Sequence, residues 1–320
     1  LSSLQFDADT KVHVTLNAKW NSLGDARYYG SAVYEFSVLY DVPALITLSE
    51  NKTVYNAGDC IVVRAQNLNE NELLEFNTTL GTGPLQFFGS DGDTYALLPI
   101  SMNNESGDYT LHIKAGGEDA QEKTIQVKAL EPSFTPLTVS MEEYENMLKP
   151  KILEDIGTRL REIASEAGEA TYFTLGAKFV SPVKGKVQRA YGTKVNFANA
   201  SISGDSGMHE VIGTVYSAKE GEAVKAAQRG KVLFAGDLPV TGNTVVIDHG
   251  YGILSYYFHL KESKAVAGSD VAQSEIIGSV GQSGFTAGGN IMHYAVSVGG
   301  VFVNPQQFEG TLAIPSEPTA

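Results

Sequence analysis

The chain has 320 residues, 42% of them hydrophobic and 19% charged, which is enough apolar material for two or three packed domains and excludes a disordered chain. Its formal charge of −14, from 23 basic and 37 acidic residues without a Lys/Arg cluster, argues against nucleic acid or an anionic membrane surface as a partner. The single cysteine, Cys60, excludes an intrachain disulfide, and its place in the apolar run CIVVRA reads as a buried, inert thiol.

From the start to residue 131 the pattern is period two: KVHVTLNAKW, AVYEFSVLY, ALITLS, CIVVRAQNL, DTYALLPI, DYTLHIKA and KTIQVKAL read as strands separated by turn-rich stretches such as NAGD and SDGD. This spacing predicts an antiparallel β-sandwich preceded by a hairpin, similar to the immunoglobulin-like modules of bacterial surface proteins, especially in GDYTLHIKAGG. His13 and His112 fall in these strands and read as structural. The segment is strongly acidic, with 8 Lys/Arg against 18 Asp/Glu, whereas residues 177–320 balance at 11 and 11. No run approaches the roughly 20 apolar residues of a membrane span. Because the sequence begins at Leu1 without a leader, it reads as a mature or trimmed product, and a signal or membrane anchor is expected upstream.

Residues 132–176 change period. Ser140 with Glu143 forms a capping box, Pro150 suits a first helical turn, and Ile152, Ile156, Leu160 and Ile163 recur at helical spacing until Gly168. The segment is expected to be a helical connector carrying no chemistry.

From Phe179 onward glycine-punctuated strands return: KGKVQRAYG, EVIGTVYSA, GKVLFAG, NTVVIDHG, ILSYYFHL, IIGSVG and MHYAVSV. Four of the six histidines, His209, His249, His259 and His293, lie here, a concentration that raises the question of a metal. In GGNIMHYAV, strand alternation puts Ile291 and His293 on one face and Met292 on the other.

These segments, together with the closing VNPQQF, resemble in order the LytM/lysostaphin-type zinc endopeptidases over about residues 177–310. The resemblance implies a LytM-like antiparallel β-sheet domain of duplicated-hybrid-motif type, and cleavage of peptidoglycan peptides. In active members an H-x-G-x-D segment and the last His of an H-x-H segment hold zinc, while a Y-x-H-L histidine and the first His of H-x-H assist the metal-bound water and the oxyanion. By that likeness His209 and His293 match metal ligands and His259 matches a catalytic histidine. Gly213 replaces the Asp ligand, and Ile291 replaces the second catalytic His.

A catalytic zinc normally has three protein ligands and an open position, so two imidazoles alone bind zinc weakly or not at all. Glu210 points away from the face of His209 on a strand, and Asp205 reaches the site only if the loop SGDSGMH folds back. Restoring both lost groups, Gly213→Asp with Ile291→His, is expected to recover zinc and activity if the mapping is right. His249, in the turn DHGYG, reads as structural, while Phe285 and Tyr191 are expected to line the groove.

The expected organisation is a mainly β chain: a hairpin and sandwich over 1–131, a connector over 132–176, a LytM-like domain over 177–311 and a tail over 312–320. The expected function is that of an extracellular or envelope-bound bacterial protein, catalytically inactive, binding peptidoglycan or an envelope protein and no nucleic acid. The alternatives are an active zinc endopeptidase with a non-standard ligand set, and an adhesive protein in which only the fold survives.

Overall fold

The computed structural model describes residues 10–21, 27–38, 44–48, 53–68, 74–83, 85–90, 93–115, 121–131, 133–197 and 208–310. They form two compact units, residues 1–44 and residues 45–320. Among the described residues of the first unit, β1 (Thr10–Asn21) pairs antiparallel with β2 (Arg27–Val38), the ladder running from Thr10 opposite Val38 to Asn21 opposite Arg27.

The second unit begins with eight strands: β3 (Leu45–Leu48), β4 (Val54–Asn56), β5 (Cys60–Gln66), β6 (Leu74–Thr78), β7 (Phe87–Ser90), β8 (Asp93–Pro99), β9 (Gly107–Ala115) and β10 (Gln121–Lys128). They make two four-stranded sheets, β3-β5-β8-β7 and β4-β10-β9-β6, which share one apolar core built on Ile61, Val63, Leu98, Leu111, Ile113 and Val127. The first of these sheets is buried on both faces. Ile61 and Val63 point into that core, while Cys60 and Val62, one residue out of phase, enter the core of the C-terminal domain together with Tyr95 and Leu97. This accounts for Cys60–Val63 being continuously apolar rather than alternating.

Residues 133–176 do more than connect. The strand β11 (Phe134–Leu137) pairs in parallel with β13 (Lys194–Phe197), which in turn pairs with β14 (Met208–Glu210). The predicted capping box is present: Glu143 N donates to Ser140 Oγ at 3.1 Å and Ser140 N donates to Glu143 Oε2 at 2.8 Å. It opens α1 (Met141–Glu143), which passes through a π-helical turn, Tyr144–Leu148, into α2 (Pro150–Ala164). The helix α2 buries Ile156, Leu160 and Ile163 and stops at Ser165, three residues before Gly168, whose N–H instead donates to Asp248 Oδ2.

The remaining strands are β12 (Lys186–Arg189), β15 (Thr214–Ser217), β16 (Ala223–Lys225), β17 (Gly230–Leu238), β18 (Gly242–Asp248), β19 (Ile253–Ser263), β20 (Asp270–Val271), β21 (Ile276–Val280), β22 (Ile291–Val298) and β23 (Val301–Val303), followed by α3 (Gln306–Glu309). They form a ten-stranded sheet ordered β12-β15-β22-β19-β18-β17-β20, with β16, β21 and β23 attached at its margins. One face of β22 packs Met292, Tyr294 and Val296 into the main core, and the other turns Ile291 and His293 toward α2 and the β11-β13-β14 sheet.

Candidate functional site

A cavity of about 390 Å³ lies between α2 and the sheets. Arg189, His209, His259 and His293 reach its wall from four different strands. His293 stands on β22 between Val215 of β15 and Phe258 of β19. His259 follows Phe258, and a positive φ of 64° turns it into the cavity, held by His259 N donating to Thr241 O and by a 3.0 Å contact between Nδ1 and Ser283 O. A non-glycine residue in this backbone region is uncommon, and such strain persists where surrounding contacts over-determine it. His209 comes from β14, opposite Val195, and so belongs to a sheet separate from the one carrying His259 and His293. Arg189, the last residue of β12, follows a β-bulge that reverses the strand's expected pattern: Val187 is 49% exposed and Arg189 only 8%.

Apart from Glu210, Thr241 and Thr286, the rest of the wall is largely apolar and includes Leu153, Ile156 and Leu160 of α2, Phe285, Ile291 and Phe302. Residues 132–176, expected to be a connector carrying no chemistry, thus supply apolar wall to the cavity. The apolar stripe of α2 covers the histidines, because that is where the sheet leaves an apolar surface to bury.

The electrostatics follow from burial. Desolvation pushes His259 down to about 4 and His293 down to about 3, with the Arg189 charge adding to both shifts and the His259 ring adding to the second. Both imidazoles are neutral at pH 7, with ring centroids 6.3 Å apart and planes 17° from parallel. Burial also lowers the Arg189 guanidinium from its ordinary value, although an arginine remains charged. Glu210, at the rim, forms an ion pair with Lys194 at 3.4 Å.

Of the residues singled out in the sequence, His209, His259, His293, Phe285 and Ile291 line this one cavity. Tyr191 does not, which corrects its assignment to the groove. Its hydroxyl donates to Phe302 O at 2.9 Å and its ring lies over Gly58, where a Cβ would come within 2.4 Å of Tyr191 Cε1. Gly58 has φ +92° and its carbonyl accepts from Asn304 N, so Tyr191 is a structural clamp between the N-terminal sheets and the C-terminal end of the chain. His249 is structural as expected: it is fully buried, with Nδ1 2.8 Å from Arg229 O and Nε2 2.7 Å from Ser255 Oγ. Asp205 lies outside the described residues. Sequence reasoning missed Arg189, whose one signal is an arginine in a short strand where burial and polarity run opposite to expectation.

Residues 208–305 match the family model of Peptidase family M23. The chain carries an M23 domain of the LytM type. A solved peptidase M23 structure from Pseudomonas aeruginosa shares its fold, with a TM-score of 0.55 and 21% identity over 81% of this chain and 96% of that one. The DD-carboxypeptidase/endopeptidase Mpg of Neisseria meningitidis is 36% identical over 29% of this chain and 21% of its own length. The murein hydrolase activator EnvC of Escherichia coli is 32% identical over 40% of this chain and 28% of its own length. The chain thus spans less than a third of the length of either relative.

The M23 family is zinc-dependent in general, and among the described residues the donors around this cavity do not make up a three-ligand catalytic zinc site. A Cβ on Gly213 would lie 2.1 Å from Tyr294 O and 2.8 Å from Ala295 Cα, so a side chain there would run into the β22 backbone and not into the cavity. Ile291 is 3% exposed and offers no donor, and Glu210 is engaged by Lys194. Among the described residues, no group of three or more His, Cys, Asp and Glu is placed to hold a metal ion. What the arrangement offers chemically is an apolar chamber with one cation and neutral imidazoles on its wall.

Proposed function

We propose that this protein is a non-hydrolytic M23-type component of a bacterial cell envelope, which binds peptidoglycan or an envelope protein and regulates wall turnover. The observation that carries this reading is the close approach of β22 to Gly213, which denies a third metal ligand at that position. Replacement of a proton-handling group by Ile291 acts in the same direction, since loss of such a group typically costs about 10²–10⁴ in rate. The naming of the Escherichia coli relative as a murein hydrolase activator supports a regulatory role for the same kind of domain.

The test incubates the purified protein with peptidoglycan sacculi, with and without zinc, alone and beside a wall hydrolase. The expected result is no soluble muropeptide from the protein alone, zinc content well below one per chain, and either sedimentation with sacculi or an increased rate of the added hydrolase. Zinc-dependent muropeptide release by the protein alone overturns the proposal. That outcome would establish the second reading, a peptidoglycan endopeptidase with a non-standard ligand set, which is favoured by the convergence of His209, His259 and His293 on one cavity.

A further inference from the structure

The buried arginine is the feature that the M23 fold alone does not account for. Arg189 is 8% exposed, and desolvation is the one cause acting on its guanidinium. Its backbone belongs to the β12–β15 ladder opposite Val215, and among the described residues none forms a hydrogen bond or ion pair with its guanidinium. The guanidinium faces the cavity, and a cation held largely out of bulk water without a counter-charge favours an anion as its neighbour. His293 Nε2 is a second polar atom on the same wall, buried and without a hydrogen-bond partner among the described residues.

The remainder of the chamber restricts what that something is. Its volume of about 390 Å³ is that of a small-molecule pocket. Leu153, Ile156, Phe285 and Phe302 provide a dry wall, and the polar hydroxyl side chains on it are Thr241 and Thr286. A peptide lying along this apolar stretch of wall would leave several amide groups without a partner, each unpaired group being costly. A single anionic head on a hydrocarbon body leaves none unpaired.

We infer that the cavity beneath α2 binds a small amphiphilic carboxylate, its head group seated on Arg189 beside His293 and its acyl chain lying between α2 and Phe285. A fork of guanidinium donors matches a carboxylate's two oxygens, and one cation balances one negative charge. This inference goes beyond the regulatory reading and stands or falls separately from it.

Calorimetric titration of the full chain with octanoate, 1-octanol and octyl phosphate tests it. The expected result is one octanoate per chain, with octanol and octyl phosphate each weaker by about tenfold or more, since a charge-assisted pair is lost or mismatched. Arg189→Gln is expected to weaken octanoate by about ten- to a hundredfold while leaving octanol unchanged. Gly157→Leu places bulk on the cavity wall from α2, where a Cβ meets nothing nearer than Arg161 Nη1 at 3.5 Å, and is expected to weaken both octanoate and octanol. If Arg189→Gln fails to fold, the ligand comparison on the parent chain and on Gly157→Leu decides. Absence of saturable octanoate binding overturns the inference, as do equal affinities for octanoate and octanol. So do tighter binding of octyl phosphate, or octanoate binding indifferent to Gly157→Leu.

Discussion

Gly213 gives the sharpest test of how the domain is built. In Gly213→Ala the new Cβ falls 2.1 Å from Tyr294 O and 2.8 Å from both Ala295 Cα and Cβ. Ordinary contact needs roughly 3.4 Å or more, so about 1.3 Å of separation must be found in backbone. The β22 strand has little freedom to give it, because Tyr294 pairs with Thr214 of β15 on one side and Tyr257 of β19 on the other. Overpacking of this kind typically costs about 1–3 kcal/mol. Loss of one or two ladder hydrogen bonds adds about 1 kcal/mol each. The sum is about 2–5 kcal/mol, and at about 2 °C per kcal/mol for a unit of this size the melting temperature should fall by about 4–10 °C. Thermal unfolding followed by circular dichroism reads this directly. Gly107→Ala, where the added Cβ meets nothing within 4 Å, is the matched control and should stay within about 2 °C of the parent. A Gly213→Ala protein melting with its control would refute the close approach. So would a Gly213→Asp, Ile291→His protein that folds like the parent and holds one zinc.

His249 is buried neutral, and burial pushes it down to about 4 from an ordinary value near 6.5. The unfolded chain therefore binds the proton first as pH falls, and stability should drop by about 1.4 kcal/mol per pH unit between pH 6.5 and 4, about 3 kcal/mol in all. Denaturant titrations across that window should show this share of the slope vanish in His249→Gln, and an unchanged slope would contradict the neutral burial. Cys60 is 7% exposed and burial raises its thiol, so the native protein should resist a thiol reagent that reacts at once after denaturation. Ser140→Ala removes the side-chain half of the capping box, the bond that Glu143 N donates to Ser140 Oγ, and should cost about 1 kcal/mol by chemical denaturation, with no effect on ligand binding in the cavity.

Most strands were legible because alternation and glycine punctuation are local signals, and every segment read as a strand contains one. The short strands β4, β6, β7, β11, β13, β16, β20 and β23 were not. A parallel pairing between Phe134–Leu137 and Lys194–Phe197 bridges sixty residues and leaves no periodic trace in four-residue segments. The capping box and Pro150 fixed where the helical segment begins, yet a stripe of Ile156, Leu160 and Ile163 says only that one face is buried and not against what. At the candidate site, motif spacing brought His209, His259, His293, Ile291 and Phe285 to one place, since the fold converts that spacing into position. It misplaced Tyr191, because a tyrosine beside a turn carries no mark distinguishing a groove contact from a clamp. Gly213 was legible as a missing carboxylate, but its contact with β22 was not, since close packing is a property of the partner strand.

The double-sided burial of the β5–β8 sheet bears on where the M23 domain can be separated from its neighbours. Cys60, Val62, Tyr95 and Leu97 fill the same core as Tyr251, Val296 and Phe308, and the Phe88 ring sits 4.3 Å from that of Tyr251. A fragment starting near residue 177 would lose all of these contacts, each fully buried side chain being worth about 1.5–3 kcal/mol. The apolar surface left behind would favour self-association. The matched stretch of residues 208–305 thus shares its interior with the sheets before it, and exchanging it alone between relatives would sever that interior.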